Sequence, residues 1–103
     1  MQNKVIFTGV LLFFMTFAQA KPKITVITNY SLDNFARIKV LNETTHRLAC
    51  YVAIDGFKIK FRLQPKRASI WFKANDTRFK PSSFSYWCDY LELYPQYKKY
   101  KTY

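Results

Sequence analysis

Glycine, histidine and cysteine are nearly absent from this 103-residue chain, and each scarcity excludes a kind of chemistry. Only Gly9 and Gly56 are present, so no glycine-rich loop is available to hold a phosphate group. One histidine, His46, and two cysteines do not make up a usual zinc or copper ligand set. No serine lies in a G-x-S-x-G motif, and the carboxylates form no evident pair. We therefore predict a protein that is not an enzyme and has no metal or cofactor.

Acidic residues are also scarce, since six of them stand against 17 lysines and arginines. The N-terminus has one cation, Lys4, then an apolar run over residues 5–18, and ends in Ala18-Gln19-Ala20. This order is typical of a secretory signal peptide, and the run is shorter than the ~20 residues of a membrane-spanning helix. Cleavage after Ala20 removes 20 residues and one cation, which leaves 83 residues with a net charge of +10 and no membrane span. We predict export to the periplasm or out of the cell.

The two cysteines are Cys50 and Cys88, and no C-x-x-C motif is present. In an exported chain this pair predicts one structural disulfide. Closing a loop of about 39 residues stabilises the folded chain by roughly 4 kcal/mol in the chain-entropy model. A domain of this size has a thin core, so the disulfide is a large part of its predicted stability.

The segment from Leu48 to Leu63 predicts a β-hairpin, because Asp55-Gly56 joins two alternating runs. With the turn at Asp55-Gly56, one face of the hairpin is entirely apolar and includes Cys50. The other face pairs three cations with small or aromatic residues, namely Ala53 with Lys58, Tyr51 with Lys60 and Ala49 with Arg62. A shift of one residue would bury the three cations, so the register is tightly specified.

Four further segments have the composition of strands: residues 23–30, 35–41, 68–74 and 84–93. No helical periodicity extends over a useful length. We predict an all-β fold, a small antiparallel β-sandwich or strongly curled sheet of five to six strands, closed by one disulfide. Residues 21–93 form this single domain, and residues 94–103 form a basic tail.

Tyr86-Trp87-Cys88 resembles the Tyr-x-Cys motif of immunoglobulin-like domains. The resemblance covers only Cys50 and residues 86–88, the cysteines are closer together than in that family, and the expected tryptophan after the first cysteine is missing. It implies a two-layer sandwich with a disulfide between the hairpin and the last strand. It implies no function.

The outward face of the hairpin is the candidate binding surface, because it carries Tyr51, Lys58, Lys60 and Arg62 without an acid. A fourth strand paired with residues 58–63 would extend this surface, and a second basic row on residues 35–41 would join it. These additions are Trp71, Lys73, Arg37 and Lys39. Aromatic residues beside arginine are typical of binding hot spots. The alternative is that a second sheet or the tail covers Trp71 and leaves only charge exposed.

The tail has a tyrosine at every third position, which suits a polyproline II helix with the rings on one side. Its tyrosines and cations are Tyr94, Tyr97, Lys98, Lys99, Tyr100, Lys101 and Tyr103. Such interleaving would allow stacking on bases or sugars together with phosphate contacts. The alternative is a frayed terminus whose tyrosines partly cover the edge of the sandwich.

The net charge favours an anionic polymer or surface as partner. Our leading prediction is an exported, non-catalytic binding module that contacts such a partner through the basic and aromatic sheet face. The alternative is an accessory protein, either a subunit or an inhibitor of an envelope protein. In that case the partner is a protein and the charge serves solubility.

Overall fold

The computed structural model describes residues 20–103, and the predicted signal peptide, apart from its last residue Ala20, lies outside this part of the chain. Six strands are β1 (Ile24–Tyr30), β2 (Ala36–Asn42), β3 (Leu48–Ile54), β4 (Phe57–Leu63), β5 (Phe72–Lys73) and β6 (Ser85–Tyr90). Three short 3₁₀ helices cover Pro81–Ser83, Leu91–Leu93 and Pro95–Lys99. Residues 20–103 contain no α-helix.

The strands form two antiparallel three-stranded sheets, with the order β1-β2-β5 in the first sheet and β4-β3-β6 in the second. Alternate residues of β2 are buried, as its apolar and basic alternation predicts. The inner faces of the two sheets share one core, to which the first sheet contributes Ile38, Val40 and Phe72 and the second contributes Leu48, Cys50, Val52, Phe61, Leu63 and Cys88. The prediction of a small all-β sandwich is confirmed.

The central hairpin has the predicted register. Asp55 and Gly56 have φ angles of 49° and 78°, the left-handed values that a tight two-residue turn requires. Tyr51 lies opposite Lys60, and Cys50 lies opposite Phe61. The inward residues Cys50 and Phe61 are almost fully buried, so the alternation of the sequence places the cations outside.

The disulfide joins Cys50 of β3 to Cys88 of β6, as predicted. The two residues are direct cross-strand partners, with their Cα atoms 4.1 Å apart. The bond therefore reinforces one sheet. In immunoglobulin-like domains the disulfide links the two sheets, so the resemblance does not extend to its position.

The fourth predicted strand is shorter than expected and has a different partner. Only Phe72–Lys73 form a strand, β5, and this strand pairs with β2 in the other sheet. The contact with β2 already begins before β5, because the backbone N–H of Ser69 donates to the carbonyl oxygen of Val40 at 2.8 Å. The prediction that this segment would extend the β4 face is therefore wrong. The last strand also ends early, at Tyr90, where a 3₁₀ helix begins.

The end of the chain pairs with the C-terminal part of the free edge of β4. We call residues 94–103 the C-terminal strap. The backbone N–H of Arg62 donates to the carbonyl oxygen of Lys101 at 2.7 Å, and that of Gln64 donates to Tyr103 at 2.9 Å. The ring of Tyr103 packs against Phe61 in the core, with a centroid distance of 6.0 Å. The strap is therefore ordered and docked on the second sheet.

Asn42 is the main buried polar residue near the turns. Its Nδ2 donates to the carbonyl oxygens of His46 at 2.7 Å and Gln64 at 3.0 Å. Its Oδ1 accepts from the backbone N–H of Thr44 at 2.8 Å and from the Thr44 hydroxyl at 2.7 Å. One fully buried amide thus joins the ends of β2, β3 and β4.

Candidate functional site

The outer face of the second sheet carries the best candidate site. In the middle row of this face, Tyr51 of β3 has Lys60 of β4 on one side and Trp87 of β6 on the other. Sequence reasoning selected Tyr51 and Lys60 but missed Trp87. The signal was present, because inward-facing Cys88 requires its neighbour Trp87 to face outward.

The strap covers the aromatic part of this face. Tyr51 stacks on Trp87 with a centroid distance of 5.5 Å. Trp87 in turn contacts two strap tyrosines, Tyr94 at 5.0 Å and Tyr97 at 6.2 Å. Tyr97 is only 6% exposed, and burial raises the pKa of its hydroxyl group. These rings form a covered cluster that holds the strap in place.

The three-residue spacing of the tyrosines has a helical explanation. Pro95–Lys99 is a 3₁₀ helix, in which side chains three residues apart lie on the same side. Tyr97 accordingly contacts Tyr94 at 6.2 Å and Tyr100 at 5.1 Å between ring centroids. The prediction of a polyproline II tail is wrong, because Pro95–Lys99 is a 3₁₀ helix. Of the alternative, the fraying is wrong, but tail tyrosines do cover the sandwich, since Tyr97 packs on Trp87 and Tyr103 on Phe61.

Lysines of the sheet and the strap lie over the rims of this cluster. Lys58 Nζ is 4.2 Å from the ring centroid of Tyr51. Lys60 and Lys99 both approach the ring of Tyr100, at 5.7 Å and 5.4 Å. Cation-π contacts of this kind keep the ammonium groups on the face while leaving them hydrated. We call the exposed lysines of this region the cationic face: Lys58, Lys60, Lys98, Lys99 and Lys101.

No carboxylate neutralises the cationic face. Residues 20–103 contain three ion pairs, Lys21 with Asp89, Lys73 with Asp33 and Arg78 with Asp76. None of these pairs includes a lysine of the cationic face. Asp89 is the acid of the second sheet's outer face, and its ion pair with Lys21 is 3.2 Å long. The cationic face therefore contains five lysines that form no ion pair within the described part of the chain.

The side chain of Arg62 is half-buried and binds the strap. Its Nε donates to the carbonyl oxygen of Tyr100 at 2.9 Å. Its backbone carbonyl also accepts from the N–H of Tyr103 at 2.9 Å, so both its side chain and its backbone hold the strap. Substitution of Arg62 would remove the side-chain hydrogen bond to the strap, which makes this residue unsuitable as a probe of binding.

Four predicted site residues lie on the other side of the sandwich. β5 pairs with β2, so Arg37, Lys39, Trp71 and Lys73 share the outer face of the first sheet. The guanidinium carbon of Arg37 is 4.0 Å and Lys39 Nζ is 4.8 Å from the ring centroid of Trp71. The prediction of one joined surface is therefore wrong. Trp71 is half-buried under cations of its own sheet.

Charge on this second surface is partly neutralised. Lys73 Nζ donates to Asp33 at 2.8 Å. The hydrogen bond from Lys73, followed by one from the Ser31 hydroxyl, lowers the pKa of the Asp33 carboxyl group to about 2. Asp33 is thus ionised at neutral pH and compensates the charge of Lys73. Of the two outer faces, the cationic face has the larger uncompensated charge.

A depression of about 500 Å³ lies beside the cationic face, between the β2–β3 connection and the strap. Its lining includes His46, Arg47, Glu92 and Lys98. Lys98 belongs to both surfaces, so the depression continues the cationic face at the end of the sheet. Arg47 was not selected from the sequence, because its place in a polar connection gives no sign that the strap would fold against it.

Within residues 20–103, no group of three or more metal-ligating side chains is present. No helix in that part of the chain is long and apolar enough to cross a membrane. Comparisons with protein-family models, with curated proteins and with solved structures gave no match.

Proposed function

We propose that this protein is an exported, non-catalytic module that binds an anionic polymer or surface through the cationic face. The observation that supports the proposal best is that Lys60 and Lys99 both lie close to the ring of Tyr100. Both ammonium groups lie within 6 Å of the Tyr100 centroid, at 5.7 Å and 5.4 Å, without a carboxylate partner. Two like charges on one platform create a positive potential that a chain of phosphate, sulfate or carboxylate groups would relieve.

The rigidity of the platform also supports binding. Lys58 and Lys60 project from β4, which pairs with β3 along its whole length and with the docked strap at its C-terminal end. Lys99 ends the 3₁₀ helix that Tyr97 anchors. Because the backbone beneath these lysines is already ordered, binding requires the ordering of side chains alone. The disulfide fits the proposed export, because such bonds persist in oxidising compartments.

Salt-dependent titration of the exported, oxidised protein tests this function. The probes are polyphosphate, a sulfated polysaccharide, a uronic acid polymer and vesicles containing anionic lipid. Binding is followed by tryptophan fluorescence at several salt concentrations. We expect affinity for at least one probe that falls steeply with salt, with a slope that counts the contacts.

A triple variant locates the binding face. In Lys58→Gln/Lys60→Gln/Lys99→Gln, we expect the logarithmic salt slope to decrease by about 2 to 3, because each lost phosphate contact contributes about 0.7 to 0.9. The control Lys23→Gln/Lys66→Gln/Lys80→Gln removes the same charge from exposed positions outside this face. The proposal fails if both triple variants weaken binding equally. Binding to none of the probes would instead favour a protein partner and a cross-linking search.

A further inference from the structure

β1 is a long strand edge that the described chain leaves open and that has no charge. Of the other edge strands, β4 carries lysines and is paired with the strap at its C-terminal end, β5 has two residues, and β6 carries Asp89 in an ion pair. β1 has seven residues, Ile24–Tyr30, with no charge, no proline and no bulge in its pairing with β2. Natural proteins usually protect such an edge with charge, proline or a covering segment.

The hydrogen-bond pattern shows which backbone groups are directed outward at this edge. On β2, the carbonyl groups of Ala36 and Val40 accept from Ala74 and Ser69 on the β5 side, and the N–H of Asn42 donates to Arg67. In an antiparallel ladder, the residues opposite them on β1 also turn their N–H and C=O groups away from β2. Those residues are Ile24, Val26 and Tyr30, and the alternation adds Thr28.

Exposed apolar side chains concentrate at the same place. Ile27 is 43% exposed, and Tyr30 is 49% exposed. Leu32, in the turn that follows, is fully exposed. Ile27 and Tyr30 face opposite sides of the sheet, and both remain accessible beside the open edge, which indicates an interaction surface here.

The lack of charge on β1 allows a second copy as the partner. Two copies of this basic chain repel one another, so an uncharged edge is where they can approach most closely. β1 itself has no charged residue, and the neighbouring cation Arg37 is bound through its Nε to Asn29 at 2.8 Å. An antiparallel β1 pair centred on Ile27 is also self-complementary, as a twofold interface must be. Its pairs would be Ile24 with Tyr30, Thr25 with Asn29, Val26 with Thr28, and Ile27 with itself.

We propose that two copies of this chain form a symmetric dimer by edge-to-edge pairing of their β1 strands, with Ile27 on the twofold axis. The first sheets then join into one continuous six-stranded sheet. The outward groups of Ile24, Val26, Thr28 and Tyr30 form about eight hydrogen bonds in this register. This inference does not depend on the proposed anion binding. The dimer should tighten with salt, which screens the repulsion between copies, whereas polyanion binding should weaken.

Molar mass in solution tests the dimer. The exported protein is examined by light scattering and analytical ultracentrifugation over a wide concentration range. We expect twice the monomer mass for the wild type and the monomer mass for Ile27→Lys, which places two ammonium groups across the axis. Ile70→Lys is the matched control, since Ile70 is 51% exposed and lies outside β1, and we expect it to remain dimeric. A monomeric wild type, or a dimeric Ile27→Lys protein, overturns the proposal.

Cysteine cross-linking tests the register without relying on a disruptive variant. In Ile27→Cys, the new thiols face each other across a close pair with Cβ atoms about 5 Å apart, so oxidation should link most of the protein. In Asn29→Cys, each thiol faces Thr25 of the partner and lies roughly 13 Å from the other thiol. Little linkage is expected there. Equal cross-linking of the two variants, or none in Ile27→Cys, contradicts the register.

Discussion

Replacing Tyr97 by alanine measures how much the strap stabilises the second sheet. The Tyr97 side chain is 6% exposed and contacts Trp87, Tyr94 and Tyr100. Burial of about 150–250 Å² by an aromatic side chain, at about 25 cal/mol per Å², gives an upper value of about 4–6 kcal/mol. Aromatic-to-alanine substitutions in cores cost about 3–5 kcal/mol. Because the strap is at the surface and can relax, we expect a loss of about 3 kcal/mol in the free energy of unfolding.

Urea unfolding of a Trp71→Phe background gives the measurement, because Trp87 is then the only tryptophan and it contacts the strap. Tyr97→Phe is the control. This variant keeps the ring and its three aromatic contacts, so we expect a change within about 0.5 kcal/mol. A loss below about 1 kcal/mol for Tyr97→Ala would mean that the strap is not docked in solution. A reduced denaturant dependence would show that the variant strap has already detached in the native state.

Two further predictions concern pH and the buried amide. Burial raises the pKa of Tyr97 above its usual value of 10.0, so the folded state binds this proton more tightly than the unfolded state does. The resulting stability should be present below about pH 10 and lost as pH rises through the raised pKa. Tyrosinate absorbance and Trp87 fluorescence should report the loss, and Tyr97→Phe should remove it; an identical alkaline transition in both proteins would count against burial as its cause. Separately, Asn42→Leu should lower the free energy of unfolding by about 2–4 kcal/mol, because the paired carbonyl and N–H groups lose their partner. Urea unfolding measures this change, and a loss below about 1 kcal/mol would contradict the role assigned to the amide.

Local patterns were sufficient to predict the hairpin and its disulfide. Asp55-Gly56 specifies the turn, and alternation then determines which residues face inward. Cys50 faces inward on this basis, and Cys88 follows as its partner. The observed pairing of Cys50 with both Phe61 and Cys88 agrees with that chain of reasoning.

The strand that pairs with β5 could not be predicted from local patterns. A strand of two residues carries almost no pairing information of its own, and both β2 and β4 offered a basic row beside it. In the structure β5 pairs with β2, and the strap pairs with β4 through the backbone of Arg62. That contact joins residues about 40 positions apart and has no local signal. Half of the predicted site therefore moved to the other sheet.

The conformation of the tail could not be predicted for a different reason, because its tyrosine spacing has two structural explanations. A tyrosine at every third position fits both polyproline II and the 3₁₀ helix, because each has three residues per turn. Only the surface beneath distinguishes them. Trp87 and Tyr51 present an aromatic platform on the sheet, and packing against it favours the more compact helix. Recognising that Trp87 faces outward would have favoured docking.

The disulfide also determines how the molecule would respond to proteolysis. Cys50 and Cys88 are 38 positions apart and close a covalent ring that contains β4 of one sheet and β5 of the other. A single cut in the mostly exposed residues 75–80 leaves both fragments in one covalent molecule. A cut in residues 43–47 lies outside the ring and separates β1 and β2, which then depend on non-covalent packing alone. A single proteolytic cut between Cys50 and Cys88 therefore leaves the molecule covalently connected, whereas a cut before Cys50 does not.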